Sequence, residues 1–151
     1  MPQHPDAGRV ELTDWTTTES AIRTIRETVF IHEQGEPVEL EWDGLDLSCA
    51  HVLAWNDREE AIGTARMQQN GTIGRMAVLK DWRRRGVGRA LLQTLLELAV
   101  RQGLPGVTLS AQTHALGFYE RAGFHVVDEP FIDAGIPHRK MVKELLPTGP
   151  G

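Results

Sequence analysis

The sequence predicts an α+β fold, with a mixed, mostly antiparallel central sheet flanked by helices. Three observations predict it. Apolar strand-like runs at 49–55, 61–68 and 72–79 follow one another with only turn-length gaps, and Asn70-Gly71 is a strong hairpin signal. A long helix pattern follows at about 87–102, with Leu91, Leu92, Leu95, Leu96 and Ala99 on one broad face. A further strand pattern at 107–111 then calls for one parallel crossover. The 151 residues, 40% apolar and 25% charged, fit one ordinary globular domain with a real core.

The elements can be justified in order. Residues 9–15 alternate, with Val10 and Leu12 on one face, and read as a first strand. Thr17 or Thr18 can cap a helix carrying Ile22, Ile25 and Val29, which Gly35 and Pro37 break. A polar, acidic segment with Trp42 follows, with room for a short second helix. The three strands come next, turning at 56–59 and at Asn70-Gly71. Gly103 stops the long helix and Pro105 bars its return. Residues 114–122 form a short helix closed by Gly123. Final strands at 124–128 and 139–145 are separated by a loop holding Gly135-Ile136-Pro137-His138. Residues 1–8 and 147–151 read as flexible ends around a single domain at 9–146.

Composition excludes several roles. The net charge of −5 argues against nonspecific nucleic-acid binding. No apolar run approaches the ~20 residues of a membrane helix, and no signal-peptide pattern opens the chain. A single cysteine, Cys49, rules out an internal disulfide and fits a reducing, cytoplasmic location. Histidines 32, 51, 114, 125 and 138 lack paired ligand spacing, so no metal is expected. The charge is unevenly spread. Glu27, Glu33, Glu36, Glu39, Glu41, Asp43, Asp46 and Asp57 lie in a stretch without Lys or Arg, whereas arginines gather at 83–89.

The arginine cluster carries the chemistry. Arg83-Arg84-Arg85-Gly86-Val87-Gly88-Arg89-Ala90 joins a strand pattern to the long helix. Two glycines two residues apart let backbone approach a ligand without Cβ atoms intervening. The helix start adds free N–H groups and a positive dipole end. A charge run alone commonly faces only water; the glycine spacing and the helix start point instead to an anionic ligand group, a pyrophosphate above all. Gly-x-x-x-x-Gly-Lys-Ser/Thr is absent, and so is Gly-x-Gly-x-x-Gly after the strand. A phosphate-binding kinase is disfavoured on the same ground.

These residues resemble the GNAT superfamily of N-acetyltransferases, in its small single-domain bacterial form. Arg83-x-x-Gly86-x-Gly88 is similar to that family's Arg/Gln-x-x-Gly-x-Gly/Ala signature, and residues 73–79 to its bulged central strand. Residues 112–124, from Gln112 through Tyr119 to Phe124, resemble its second motif. Gln112 departs from the Asn found in many members. The resemblance implies acetyl-CoA as co-substrate. Its pyrophosphate would lie on Arg83, Arg84, Arg85, Gly86, Val87, Gly88, Arg89 and Ala90. Its pantetheine arm would lie beside Met76, Ala77 and Val78, within reach of Gln112.

The resemblance also makes Tyr119, the only tyrosine, the general acid that protonates the departing sulfur. A phenol of pKa ~10 keeps its proton at neutral pH. Glu33, after the first helix, is a candidate for base and for acceptor contact, and His138 is a second substrate-side candidate. His32, His51 and His114 qualify by type alone. The acidic stretch suggests a small cationic amine or a basic peptide as acceptor, with no nucleic acid or membrane partner and with a homodimer left open. The competing reading is a non-catalytic acyl-CoA-binding sensor or interaction module of the same fold.

Overall fold

The computed structural model describes residues 8–145. Apart from Gly8, the ends expected at 1–8 and 147–151 lie outside the described residues. The order is β1 (Arg9–Thr13), α1 (Trp15–Arg26), a π-helical turn (Glu27–Glu33), α2 (Val38–Glu41), then β2 (Ala50–Trp55), β3 (Ala61–Met67) and β4 (Thr72–Val78). It continues with α3 (Val87–Arg101), β5 (Gly106–Gln112), α4 (Leu116–Arg121), β6 (His125–Val126), β7 (Phe131–Asp133) and β8 (Ile136–Glu144). The sheet runs β1-β2-β3-β4-β5-β8-β6, with β7 paired to β8. Among the described residues only β4 and β5 pair in parallel, so the fold is the mixed, mostly antiparallel α+β sheet that the sequence implies.

Both faces of the sheet are covered. Successive residues of β2 point opposite ways, as a pleated strand requires. Val52 and Ala54 join α3's Leu91, Leu92 and Leu95 in one core. Leu53 joins Trp15, Ile22, Ile25 and Val29 from the α1 side in the other. Helix α3 comes very close to β3: a Cβ on Gly63 would stand 3.0 Å from Val87 and 3.1 Å from Leu91.

Three local expectations need correction. Residues 14–15 do not extend the first strand. Asp14 is the cap of α1, its carboxylate accepting from the Thr17 N–H at 2.7 Å, so Trp15 begins the helix and its ring is buried. Residues 130–138 are not a long loop. β7 and β8 form a hairpin turned at Ala134 and Gly135, both at positive φ, the mirror-image turn that matches strand twist. His138 therefore sits on a strand and not in a loop. The acidic stretch, read as attracting a cationic acceptor, is also not wholly available for that, because two of its carboxylates, Glu41 and Asp46, are buried.

Candidate active site at the β4–β5 opening

β4 and β5 pair only at Thr72–Thr108 and Ile73–Leu109. Beyond these two pairs the strands part, and the rest of β4 has no partner on its β5 side. The opening widens toward the C-terminal ends of both strands, where parallel strands in open sheets commonly place ligands. β4 also carries a bulge. Thr64 faces Ala77 and Arg66 faces Gly74, so Arg75 and Met76 together oppose Ala65. Arg75 takes a positive φ of 50° to do so.

The glycine loop stands at the same end. Gly86 is the cap of α3 with φ 84°, a conformation that favours glycine. A Cβ there would meet nothing within 4 Å, so the loop opens outward. Among the described residues, none accepts a hydrogen bond from the N–H of Arg84, Arg85 or Gly86. Val87, Gly88 and Arg89 occupy the first turn of α3, where N–H groups lack helical partners. The Ala90 N–H differs, donating to the Gly86 carbonyl at 3.0 Å. Gly88 sits where loop, strand and α4 converge: a Cβ on it would lie 3.4 Å from Phe118 and 3.8 Å from the Met76 sulfur.

Tyr119 reaches this junction from α4. Its hydroxyl lies 3.8 Å from the Met76 Sδ, and its ring packs edge-on against Phe118 and Phe124. Burial pushes its phenol up to about 12, so the group stays protonated across the physiological range. Tyr119 and Met76, named separately from the sequence, are thus brought together.

Glu33 is placed otherwise. Both its oxygens accept from Arg83, at 2.6 and 2.7 Å, and Arg83 Nε donates to the Val78 carbonyl at 2.9 Å. The Arg83 hydrogen bonds hold Glu33 below the usual carboxylate range. Such a carboxylate is a poor proton acceptor. The neighbouring Gln34 accepts from the Gln112 side-chain amide at 3.1 Å, and the Gln112 carbonyl meets His114 at 2.6 Å. The end of the π-helical turn therefore touches both sides of the opening, β4 through Arg83 and β5 through Gln112.

His138 lies opposite Gln112 in the β5–β8 register and stacks on Phe131. Its Nδ1 meets the Ile136 carbonyl at 2.7 Å, which puts the neutral ring's proton on Nδ1 and leaves Nε2 as the acceptor. Of the remaining arginines, Arg85 stacks over Trp82, while Arg84 and Arg89 are exposed.

One group of residues escaped the sequence reading; of a second, the sequence shows only that Arg66 and Arg75, both on strand patterns, can pair with carboxylates. The first is a cleft of about 550 Å³ between α3 and α4, floored by Leu92, Leu96 and Phe118 and edged by Arg89 and Arg121. The helical spacing of 118, 121 and 122 was the available signal. The second is a buried ionic network. Arg26 donates to Glu41 at 2.5 Å and to Asp46 at 2.6 Å, and Arg66 bonds both Asp43 and Asp46. Arg75 stands 3.5 Å from Glu41 and from Asp43. Against the cost of burial, Arg66 and the Leu45 N–H hold Asp43 down at about 2. Burial and the nearby Glu36 carboxyl push Glu41 up to about 7 in spite of Arg26 and Arg75. No signal at fixed spacing announces these pairs.

Among the described residues, no group of three or more His, Cys, Asp or Glu side chains is arranged to hold a metal ion, and no helix is long and apolar enough to cross a membrane.

Residues 15–145 match the family model described as an acetyltransferase (GNAT) domain. The N-acetyltransferase YjcF of Bacillus subtilis (strain 168), itself uncharacterized, is 39% identical over 124 residues, covering 80% of this chain and 88% of the relative. The crystal structure of an acyl-CoA N-acyltransferase from Pseudomonas aeruginosa superposes with a TM-score of 0.79 at 31% identity, over 89% of this chain and 99% of that one. Escherichia coli ElaA superposes with a TM-score of 0.81 at 29% identity, over 90% and 99%.

Proposed function

The chain belongs to the GNAT acetyltransferase family, and on that premise we propose that it moves an acetyl group from acetyl-CoA to a primary amine by direct attack, with Tyr119 as the general acid. One observation carries the reading. The half-buried Tyr119 hydroxyl lies against Met76 of the bulged strand, beside the open glycine loop and the mouth of the β4–β5 opening.

The residues fit the co-substrate. The unsatisfied N–H groups from Arg84 to Arg89 suit a pyrophosphate, and exposed Arg84 and Arg89 add charge. The Arg89–Arg121 cleft beside the loop suits the nucleotide end, with Phe118 as an aromatic floor. The open backbone edge of Met76, Ala77 and Val78 suits an extended amide-bearing arm, because strand edges recognise such chains through main-chain hydrogen bonds. A backbone N–H of that edge would stabilise the oxyanion formed when the amine attacks the thioester carbon. One such donor contributes roughly 3 kcal/mol. As the carbon–sulfur bond breaks, Tyr119 gives its proton to the thiolate.

Glu33 serves this scheme as the partner of Arg83 rather than as the base. His138 retains an acceptor nitrogen and remains the substrate-side candidate. The acceptor is a small amine or the amine of a basic peptide. Glu33, Glu41, Asp43 and Asp46 are engaged by arginines, so Glu27, Glu36, Glu39 and Asp57 carry what attraction the acidic stretch offers it.

The test is a panel of amines that follows free thiol released from acetyl-CoA, run on the native protein and on Tyr119→Phe. Turnover with at least one amine is expected. The variant should lose roughly 10- to 10³-fold in kcat while keeping its affinity for acetyl-CoA. Tight acetyl-CoA binding without transfer to any amine would favour the sensor reading. Unchanged turnover in Tyr119→Phe would remove the tyrosine from the mechanism.

A further inference from the structure

The buried ionic network and the bulge of β4 meet at one residue. Arg75 is an arginine in the left-handed region, φ 50°, in the middle of a strand. A side chain in that conformation carries a steric cost and persists only where its surroundings hold it. Here the surroundings can be named. Arg75 Nη2 donates to the Leu40 carbonyl at 3.1 Å, its Nε stands 3.5 Å from Glu41, and its Nη2 stands 3.5 Å from Asp43.

Those anchors are themselves fixed. Glu41 is completely buried and bonded to Arg26, and Asp43 is bonded to Arg66. The Trp42 ring lies 4.8 Å from the Arg26 guanidinium and 6.5 Å from the Trp15 ring. A rigid ionic core thus grips the side chain of the one residue whose backbone makes the bulge.

The bulge matters because of the next residue. Met76 follows Arg75 directly, receives the Tyr119 hydroxyl, touches the space above Gly88, and begins the open edge of β4. Bulges redirect the residues beside them. A change of φ at 75 would swing the Met76 N–H and sulfur together.

We infer that Arg75 is a positioning residue for acetyl transfer: gripped by Leu40, Glu41 and Asp43, it holds the β4 bulge in the one conformation that presents the Met76 backbone to the thioester and the Met76 sulfur to Tyr119. It also ties the 40–43 segment, on the α1 side of the sheet, to the reacting edge. The inference rests on the acetyltransferase reading of the site.

Two substitutions separate positioning from folding. Arg75→Gly removes the grip but tolerates positive φ without steric cost, so the chain stays folded. Arg75→Lys keeps the charge and one donor point. For Arg75→Gly, kcat should fall roughly 10- to 100-fold, the scale of a small misplacement of reacting groups. Its Kd for acetyl-CoA should stay within about threefold, because the glycine loop is untouched. Arg75→Lys should recover part of kcat. In 15N-labelled protein the Met76 amide resonance should shift and broaden in Arg75→Gly.

A wild-type kcat in Arg75→Gly, or losses of kcat and acetyl-CoA affinity in parallel, would overturn the inference. Should the native protein turn over no amine at all, the acetyltransferase reading fails first. The Met76 resonance then decides alone, and an unmoved signal in Arg75→Gly would sink the positioning role independently.

Discussion

Two arginine-rich regions of this molecule lie on opposite sides of β4 and behave in opposite ways. In the glycine loop, Arg84 and Arg89 are exposed, Arg85 rests on the Trp82 face, and only Arg83 is tied down, through a half-exposed pair with Glu33. In the network under α1, Arg26 is 1% exposed and Arg66 is 4% exposed, and each bonds two carboxylates. The first group holds charge available for something that is not protein. The second has its charge neutralised internally, and what it offers is rigidity. Counting charges along the chain cannot tell the two apart, whereas burial and partners can.

The sharpest way to break this contrast is to delete one arginine from each region. Arg26→Met should cost about 3–5 kcal/mol of stability, because buried Asp46 would lose one of its two arginine partners and buried Glu41 would have to take up a proton. Arg85→Ala should change stability by no more than about 0.5 kcal/mol, as surface substitutions usually do. Urea unfolding of both variants checks this. Equal losses would mean that the network is no more structural than the loop.

The contrast also explains what could be read beforehand. The glycine loop was legible because its information is local: Gly86 and Gly88 sit at fixed spacing ahead of a helix pattern, and the backbone does the work. Element order and the β4 bulge followed from periodicity and from that resemblance. Of the network, the pairing of Arg66 and Arg75 with carboxylates was legible from their type and strand position, but the partners were not, because the pairs are 15 to 35 residues apart, Arg26 with Glu41 and Arg75 with Leu40. Arg26 falls within the helix pattern that carries Ile22, Ile25 and Val29, where a charged residue ordinarily faces water. Glu41, Asp43 and Asp46 fall in an acidic stretch that reads as attracting a cationic acceptor. Nothing local distinguishes a carboxylate that will be buried from one that will face water. Asp14 is hard to single out as the cap for a related reason: three threonines at 16–18 compete for the same position.

A pH series sharpens the comparison from the network side. Glu41 has a folded pKa near 7, raised by burial and Glu36 from the 4.5 of an ordinary glutamate. The native state therefore binds the extra proton between those values. Stability from this group is fully present below about 4.5 and is lost as pH rises through about 7. Asp43, held at about 2, contributes in the other direction only in acid, where its stabilisation is lost as pH falls. Burial lowers the neighbouring His51, whose contribution grows as pH rises, so the raw melting curve mixes two trends. Glu41→Gln removes one of them. The melting temperature of that variant relative to the native protein should improve by a few degrees from pH 5 to pH 8. A difference that stays flat with pH would mean that Glu41 is ionised throughout.

A small effect is expected at Glu33, which the glycine loop reaches through Arg83. The sequence suggests a carboxylate facing a cationic acceptor. The structure shows both its oxygens on Arg83, about one third exposed on either side. Half-exposed pairs of this kind contribute roughly 0.2–1 kcal/mol and weaken with salt. A double-mutant cycle of Glu33→Gln and Arg83→Gln, measured by unfolding at low and high salt, should therefore give a coupling within that range that shrinks as salt rises. The kinetic consequence follows from the same geometry. With its lone pairs on Arg83, Glu33 has little to offer an ammonium group, so Glu33→Gln should lower kcat/KM for a cationic amine and for an anionic amine by the same factor, about threefold or less. If the variant instead lost tenfold or more with the cationic amine and nothing with the anionic one, Glu33 would be seeing the acceptor directly. Its bond to Arg83 would then belong to the unliganded protein alone, and the loop would share the charge-neutralising habit of the network.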